Sequence, residues 1–173
     1  MMFSQIAKIA APALAILALT GGFYHGDRLA IVFPADWTIQ PPDKDGLVVA
    51  NEPGSQTNCN VQTSDVALLA KSTLAEINAD YGHVFDVAEW ANLLGMKPED
   101  LTLVLSDMSP FADAFYHTAT FLVKADDTRE VTVRYGFYVL PGRISMAGCY
   151  VVSTDYPAQK QRFNTIVDSF RPW

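Results

Sequence analysis

Apolar residues along this chain repeat with three different periods, and each period predicts a different part of the fold. From Leu29 to Thr63 they come in short runs broken by turn residues. Leu29–Phe33 predicts a strand, Pro34–Ala35–Asp36 a turn, and Trp37–Gln40 the partner strand. Leu47–Asn51 and Cys59–Thr63 continue the series on either side of Glu52–Pro53–Gly54–Ser55. The spacing then becomes helical. Ala70, Leu74, Ile77 and Tyr81 share one face, with Thr73–Leu74–Ala75–Glu76 as a capping box and Gly82 as the stop. Val87, Trp90, Ala91 and Leu94 mark a second short helix, ended by Gly95 and Pro98.

The second half alternates with period two. It predicts strands over Leu101–Ser106, Phe111–Lys124, Glu130–Leu140 and Arg143–Thr154. Pro141–Gly142 is a two-residue turn, which sets Leu140 against Arg143 and Val139 against Ile144. Phe137/Met146, Val133/Tyr150 and Val131/Val152 then fall on one face. A loop at Asp126–Asp127–Thr128 sets Val123 against Val131 and Phe121 against Val133 on that same face, as a single sheet requires. Phe163, Ile166, Val167 and Phe170 form the stripe of a last helix that Pro157 can start, and this helix is expected to cover the apolar face. The fold class is therefore α/β of the α+β kind: an antiparallel sheet of about six or seven strands packed with helices.

Composition adds bounds to this picture. In 173 residues, half are hydrophobic and 18% charged, which excludes a disordered tail and a disulfide-dense mini-protein. A net charge of −7 repels phosphate backbones, so nucleic acid is not an expected partner. The start is distinctive: MMFSQIAK carries the single cation Lys8, Ile9–Leu19 is small and aliphatic, and Thr20–Gly21–Gly22 follows. This describes a secretory signal peptide over residues 1–22, followed by one domain over 23–173. An uncleaved membrane anchor is the minority reading, because the run is short for a spanning helix, and a membrane partner is expected only in that case. Small residues place the mature N-terminus between Gly21 and Tyr24, and the mature charge at −8, since only Lys8 is lost. In a periplasmic or secreted protein, two cysteines suggest one bond, Cys59–Cys149; two separate buried thiols are the alternative.

The register also sorts the polar residues. His117 falls between Phe115 and Ala119, opposite Phe137, and is expected to be a neutral core histidine with one hydrogen bond. The other face carries Tyr116, Thr118, Thr120, Thr132, Arg134, Tyr138, Ser145 and Cys149, with Thr120–Arg134–Cys149 crossing its centre. A partly open face of this kind would suit peptide or small-ligand recognition; a solvent face with its Arg covered by N-terminal strands or loops is the competing expectation. Searches for a Gly-x-Ser-x-Gly elbow, a His-Glu-x-x-His pair, a phosphate loop and a Cys-x-x-Cys motif find none. No catalytic residue and no cofactor is assigned. The one weak metal candidate is Glu76 and Asp80, a helical turn apart, with His83 just beyond Gly82. Asp43–Lys44–Asp45–Gly46 opens like a calcium loop but lacks the later bidentate Glu.

Phe33–Pro34–Ala35–Asp36–Trp37–Thr38 is similar to the F-P-x-x-W segment that opens PsbP-like domains. Gly142–Arg143–Ile144 through Gly148–Cys149–Tyr150, Asp155–Tyr156–Pro157 and Phe163 through Ser169–Phe170 resemble their closing strand and helix. The resemblance covers roughly residues 28–171 and extends to the α/β/α sandwich shared by PsbP subunits, Mog-like proteins and DcrB-like bacterial envelope proteins. It implies a non-enzymatic accessory or binding module, partnered by another envelope protein or a small ligand. The matched positions are core and turn residues, so the resemblance carries over no binding residue. Two other classes stay open: a carrier of a small apolar or amphiphilic ligand, and a hydrolase with an unrecognised site.

Overall fold

A computed structural model describes residues 19–20, 22–126 and 128–173. The strands are β1 (Leu19–Thr20), β2 (Phe23–His25), β3 (Leu29–Val32), β4 (Thr38–Ile39), β5 (Val48–Asn51), β6 (Asn58–Asp65), β7 (Leu101–Phe111), β8 (Ala114–Asp126), β9 (Arg129–Leu140), β10 (Arg143–Val152) and β11 (Arg171–Pro172). The helices are α1 (Leu74–Tyr81), α2 (Val87–Leu94) and α3 (Tyr156–Ser169). Eight strands form one antiparallel sheet in the order β1-β4-β5-β6-β10-β9-β8-β7, and β11-β3-β2 form a second, small sheet. Most of the proposed leader, residues 1–18 and Gly21, lies outside the described residues.

The hairpins form at the predicted register. Val139 faces Ile144, Phe137 faces Met146 and Val131 faces Val152 across β9–β10. Val123 faces Val131 and Phe121 faces Val133 across β8–β9. That hairpin pairs on to Asp126–Arg129 across a register shift after Lys124, so its connection is shorter than the three-residue loop expected. Both short helices begin on complete capping boxes, Thr73 with Glu76 and Asp86 with Glu89. Gly95 ends α2 in the left-handed conformation, at φ 64°, that a residue with a Cβ rarely adopts.

Three expectations are corrected. β4 pairs with β1 and β5, not with β3, so the predicted Leu29–Phe33/Trp37–Gln40 hairpin does not exist. β3 instead joins β2 and β11. Pro34 lacks the amide proton that a continuing ladder needs, and the chain changes sheets there. Second, β7 runs on to Phe111 and turns at Ala112–Asp113, so Phe111 belongs to β7 rather than β8. Ala112 adopts φ 51°, the only positive φ among the described non-glycine residues. Asp113 is a common turn residue, but an alanine does not advertise the positive φ that Ala112 takes.

Third, α3 covers the other face. The apolar face of Phe121, Val133, Phe137 and Val139 packs against Ile77 of α1, Phe85, and Trp90 and Leu94 of α2. Phe163, Ile166, Val167 and Phe170 pack on the opposite face with Tyr116, Tyr138, Cys59 and Cys149. Gly136 explains the fit: a Cβ there would stand 2.0 Å from the Tyr116 hydroxyl and 2.8 Å from a Val167 methyl. The sheet is thus buried on both sides.

Candidate functional site

Tyr116, Thr118, Thr120, Thr132, Arg134 and Tyr138 do share one face, but that face is covered rather than partly open. All six are at most 8% exposed. Several of their polar atoms are engaged inside the protein, whereas Arg134 Nε and the Tyr138 hydroxyl are buried with no hydrogen bond of ordinary geometry among the described residues. The Tyr116 hydroxyl donates to Val167 O of α3 at 2.6 Å, Thr132 donates to Ser153, and Arg134 Nη1 reaches Thr120 Oγ1 at 3.4 Å. Ser145 and Thr63 share a hydrogen bond across β10–β6. Burial raises the Tyr116 phenol far above its ordinary range, further raised by Tyr138 and Asp168. Sequence alternation alone separates the faces but does not say which polar face a helix will cover.

At the centre of this face Cys59 and Cys149 stand directly opposite each other on β6 and β10, both with no exposed surface, and are joined by a disulfide. The bond spans a sequence separation of 90 and ties the N-terminal strands to the late meander. No solvent reaches either sulfur.

His117 lies where the register predicts, opposite Phe137 and 1% exposed. Its ring stacks on Phe85 at 4.0 Å between centroids with 7° between planes. The expected hydrogen bond is missing: neither ring nitrogen has a partner among the described residues. Burial, followed by the nearby His83, lowers its pKa to about 4, with Glu89 opposing. It is a neutral core residue.

The structure does not assemble Glu76, Asp80 and His83. Glu76 is turned back onto Thr73 as the capping box, while His83 Nε2 lies 2.6 Å from Glu89 Oε1. Among the described residues no three His, Cys, Asp or Glu side chains form a group that could hold a metal ion. Asp43, in the calcium-like segment, accepts from the backbone of Asp45 and Leu47 and closes its own turn.

Two surface concavities stand out among the described residues. A groove of about 410 Å3 runs between β3 and α3, floored by Val32, Phe33, Pro34 and Ile166 and edged by Gln161 and Arg162. Arg162 is held at its rim by Glu52, whose carboxyl is lowered by hydrogen bonds and by that guanidinium against the upward push of burial. The second is a cleft of about 210 Å3 at one end of the sandwich, between the β7–β8 turn, the β9–β10 turn and the strand after α3. Phe111, Leu140 and Trp173 give it apolar walls, and Asp113, Tyr138 and Arg143 also line it. Trp173 is a fixed wall, because its indole donates to Asp27 O and its other side meets His25 at 4.5 Å. The sequence named Tyr138 of this set; the rest needed the strand after α3 to be placed beside the two turns.

No protein-family model matches the chain, and no curated protein matches it. Solved structures do. Cyanobacterial PsbP (CyanoP) from Synechocystis sp. PCC 6803 superposes with a TM-score of 0.56 at 14% identity, covering 95% of this chain and 98% of that one. A protein from Bacteroides thetaiotaomicron gives 0.51 at 8% identity, covering 89% of this chain and 49% of that one. With its antiparallel sheet covered by helices on both faces and this likeness over nearly the whole of both chains, the chain has the PsbP-like fold.

Proposed function

We propose that this protein is a secreted or periplasmic accessory module that acts by binding another envelope protein. One observation carries the reading: the likeness to CyanoP takes in nearly the whole of both chains compared, 95% of this one and 98% of that one. The leader-like start and the buried Cys59–Cys149 bond support an oxidising compartment. No helix among the described residues is long and apolar enough to cross a membrane. Crosslinking in the native envelope, affinity purification and mass spectrometry test the proposal. A stoichiometric envelope partner is expected; recovery of the uncrosslinked protein alone overturns it. Intact mass of the exported chain checks the leader, with a start between Gly21 and Tyr24 expected.

A second reading, a carrier of a small apolar or amphiphilic ligand, is favoured by the cleft beside Phe111 and Trp173, whose walls are largely apolar. Native mass spectrometry of protein purified from its own host separates the two.

A further inference from the structure

We propose that the free edge of β7 is a docking site for a basic, partly apolar extended segment of a partner protein, which joins the large sheet as a further strand. The inference rests on the accessory reading and names the surface and the recognition mode that reading leaves open.

The starting point is the contrast between the sheet edges. β1, at one end of the large sheet, spans two residues, and the edges of the small sheet, β2 and β11, span three and two. Edges that short are poor templates. At the other end of the large sheet β7 spans 11 residues, pairs with β8 on one side and with no described strand on the other. A long row of unpaired amides and carbonyls accepts another extended chain unless charge, proline or a bulge blunts it.

β7 is blunted over one half only. Towards its end the Met108 amide donates to the Asp107 carboxylate at 2.8 Å, and Pro110 has no amide to offer. From Thr102 to Ser106 there is no charge and no proline. The register shift between Leu103 and Leu105 puts one residue more on β7 than on β8, and Val104 and Leu105 stand 57% and 51% exposed. A bulge re-aims side chains, and a protective one would aim charge outward; this one presents two large apolar groups. At ~3.4 Å per residue the stretch runs about 17 Å, the length of a short added strand. It is held from behind, because Ser106 Oγ accepts from the Trp90 indole at 3.0 Å and donates to Phe85 O at 2.8 Å, which ties β7 to α2.

Charge selects the occupant. Over residues 97–113 four exposed carboxylates, Glu99, Asp100, Asp107 and Asp113, face the single cation Lys97. A second copy would bring the same acidic edge on a chain of net charge −7, and like charges repel it. A basic segment is attracted. Its backbone pairs with the open amides and carbonyls of β7, and its apolar side chains cover Val104 and Leu105.

The test is NMR titration of the full exported protein with a capped heptapeptide of alternating Lys and Val. Saturable shifts are expected at the Trp90 indole and at the amides of Thr102–Ser106, with a Kd of about 1 mM or tighter. Methylating every internal amide of the peptide removes its backbone donors and should weaken binding about tenfold or more. Replacing its Lys residues by Glu should weaken it at least as much, and raising salt from about 0.05 to about 0.5 M should weaken the basic peptide severalfold. Leu105→Lys and Val104→Lys place a cation at half-exposed positions, so each should keep its melting temperature while peptide binding falls about tenfold. Leu68→Lys, at a 92% exposed position off this strand, should bind like the parent. Equal binding of the methylated or acidic peptide, unchanged binding in both β7 variants, or no saturable shift at about 5 mM peptide overturns the inference. So does a dimer in sedimentation that Leu105→Lys dissolves, since the edge would then belong to a second copy. Each of these results leaves the accessory reading standing if the crosslinked envelope partner is still captured, so the two failures are distinguishable.

Discussion

Both faces of the large sheet carry aromatic contacts, but the α1–α2 face rests mainly on them, whereas the α3 face adds to its Tyr116–Tyr138 and Tyr138–Phe170 contacts a covalent bond, a missing Cβ and a hydroxyl bond to the helix backbone. On the first, Trp90 meets Phe121 and Phe137 edge to face, and Phe85 stacks on His117. On the second, Cys59–Cys149 crosses the sheet, Gly136 admits Val167, and Tyr116 donates to the helix backbone. The α1–α2 layer rests mainly on apolar burial, which is non-directional, with ring geometry adding about 0.5–1.5 kcal/mol per pair. The α3 layer depends on close approach and specific geometry. The two faces should therefore fail differently, under different perturbations.

The disulfide should give the largest effect. On the chain-entropy model a bond closing a loop of this length contributes about 4–5 kcal/mol. A Cys59→Ala/Cys149→Ala double variant should lose about that much in denaturant unfolding, comparable to the whole net stability of a marginal domain. Free-thiol counting on unreduced exported protein should find none. Mild reductant should leave the native protein unchanged, since both sulfurs are buried.

Acid should strike the other face. The His117 pKa is about 4 in the folded protein and ~6.5 in the unfolded chain, so between these values only the unfolded chain holds the proton. Its contribution to stability is complete above ~6.5, is lost as pH falls, and levels off near 4. The loss is on the order of 3 kcal/mol. Glu52 and Glu89, whose carboxyls are lowered, lose their contributions only below the unfolded carboxylate value of ~4.3, in a separate window. His117→Phe keeps the ring stack on Phe85 and removes two unpartnered nitrogens, so it should flatten the curve between pH 4 and 6.5. A His117 pKa at or above ~6.5 by NMR would contradict the core role.

These two predictions also separate what the sequence made legible from what it hid. Local rules were enough for the β8–β9 and β9–β10 registers, the Thr73–Glu76 capping box and the neutral character of His117; the Asp86–Glu89 box was missed. They stopped at choices between distant elements. The stripe Phe163–Phe170 fits either face, and the choice is made by Gly136 and the small residues Ala50 and Ala147, whose effect appears only once α3 is docked. The six-residue polar face looks partly open in sequence because Thr, Tyr and Arg resemble surface residues; here their apolar stems are buried and several of their polar ends are paired inside. The cleft was out of reach because Arg143 and Trp173 are 30 positions apart in sequence.

Gly136→Ala tests the close approach directly. The new methyl must displace the Tyr116 hydroxyl or push α3 outward, at about 1–3 kcal/mol. Tyr116→Phe alone loses one buried hydrogen bond, about 1 kcal/mol. The double variant should be less damaging than the two losses combined, because removing the hydroxyl frees the space the methyl needs. Strict additivity in thermal melts would mean that α3 yields somewhere else.

The smallest effect returns to the aromatic face. Asp86 Oδ1 accepts from the amides of both Ala88 and Glu89, and Glu89 Oε2 accepts from the Asp86 amide, closing the capping box of α2. Glu89 Oε1 meanwhile holds His83, whose ring packs on Phe85 beside His117. Asp86→Ala should cost about 1 kcal/mol and loosen the loop that positions Phe85. Thr73→Ala should do less, because its own cap bond to Glu76 N is long at 3.3 Å. Hydrogen exchange shows where the loss falls. Amides of α2 should exchange faster in Asp86→Ala while those of α3 keep their protection, since a disulfide-braced sheet separates the two helices. Equal loosening of both would mean that the two faces unfold as one unit.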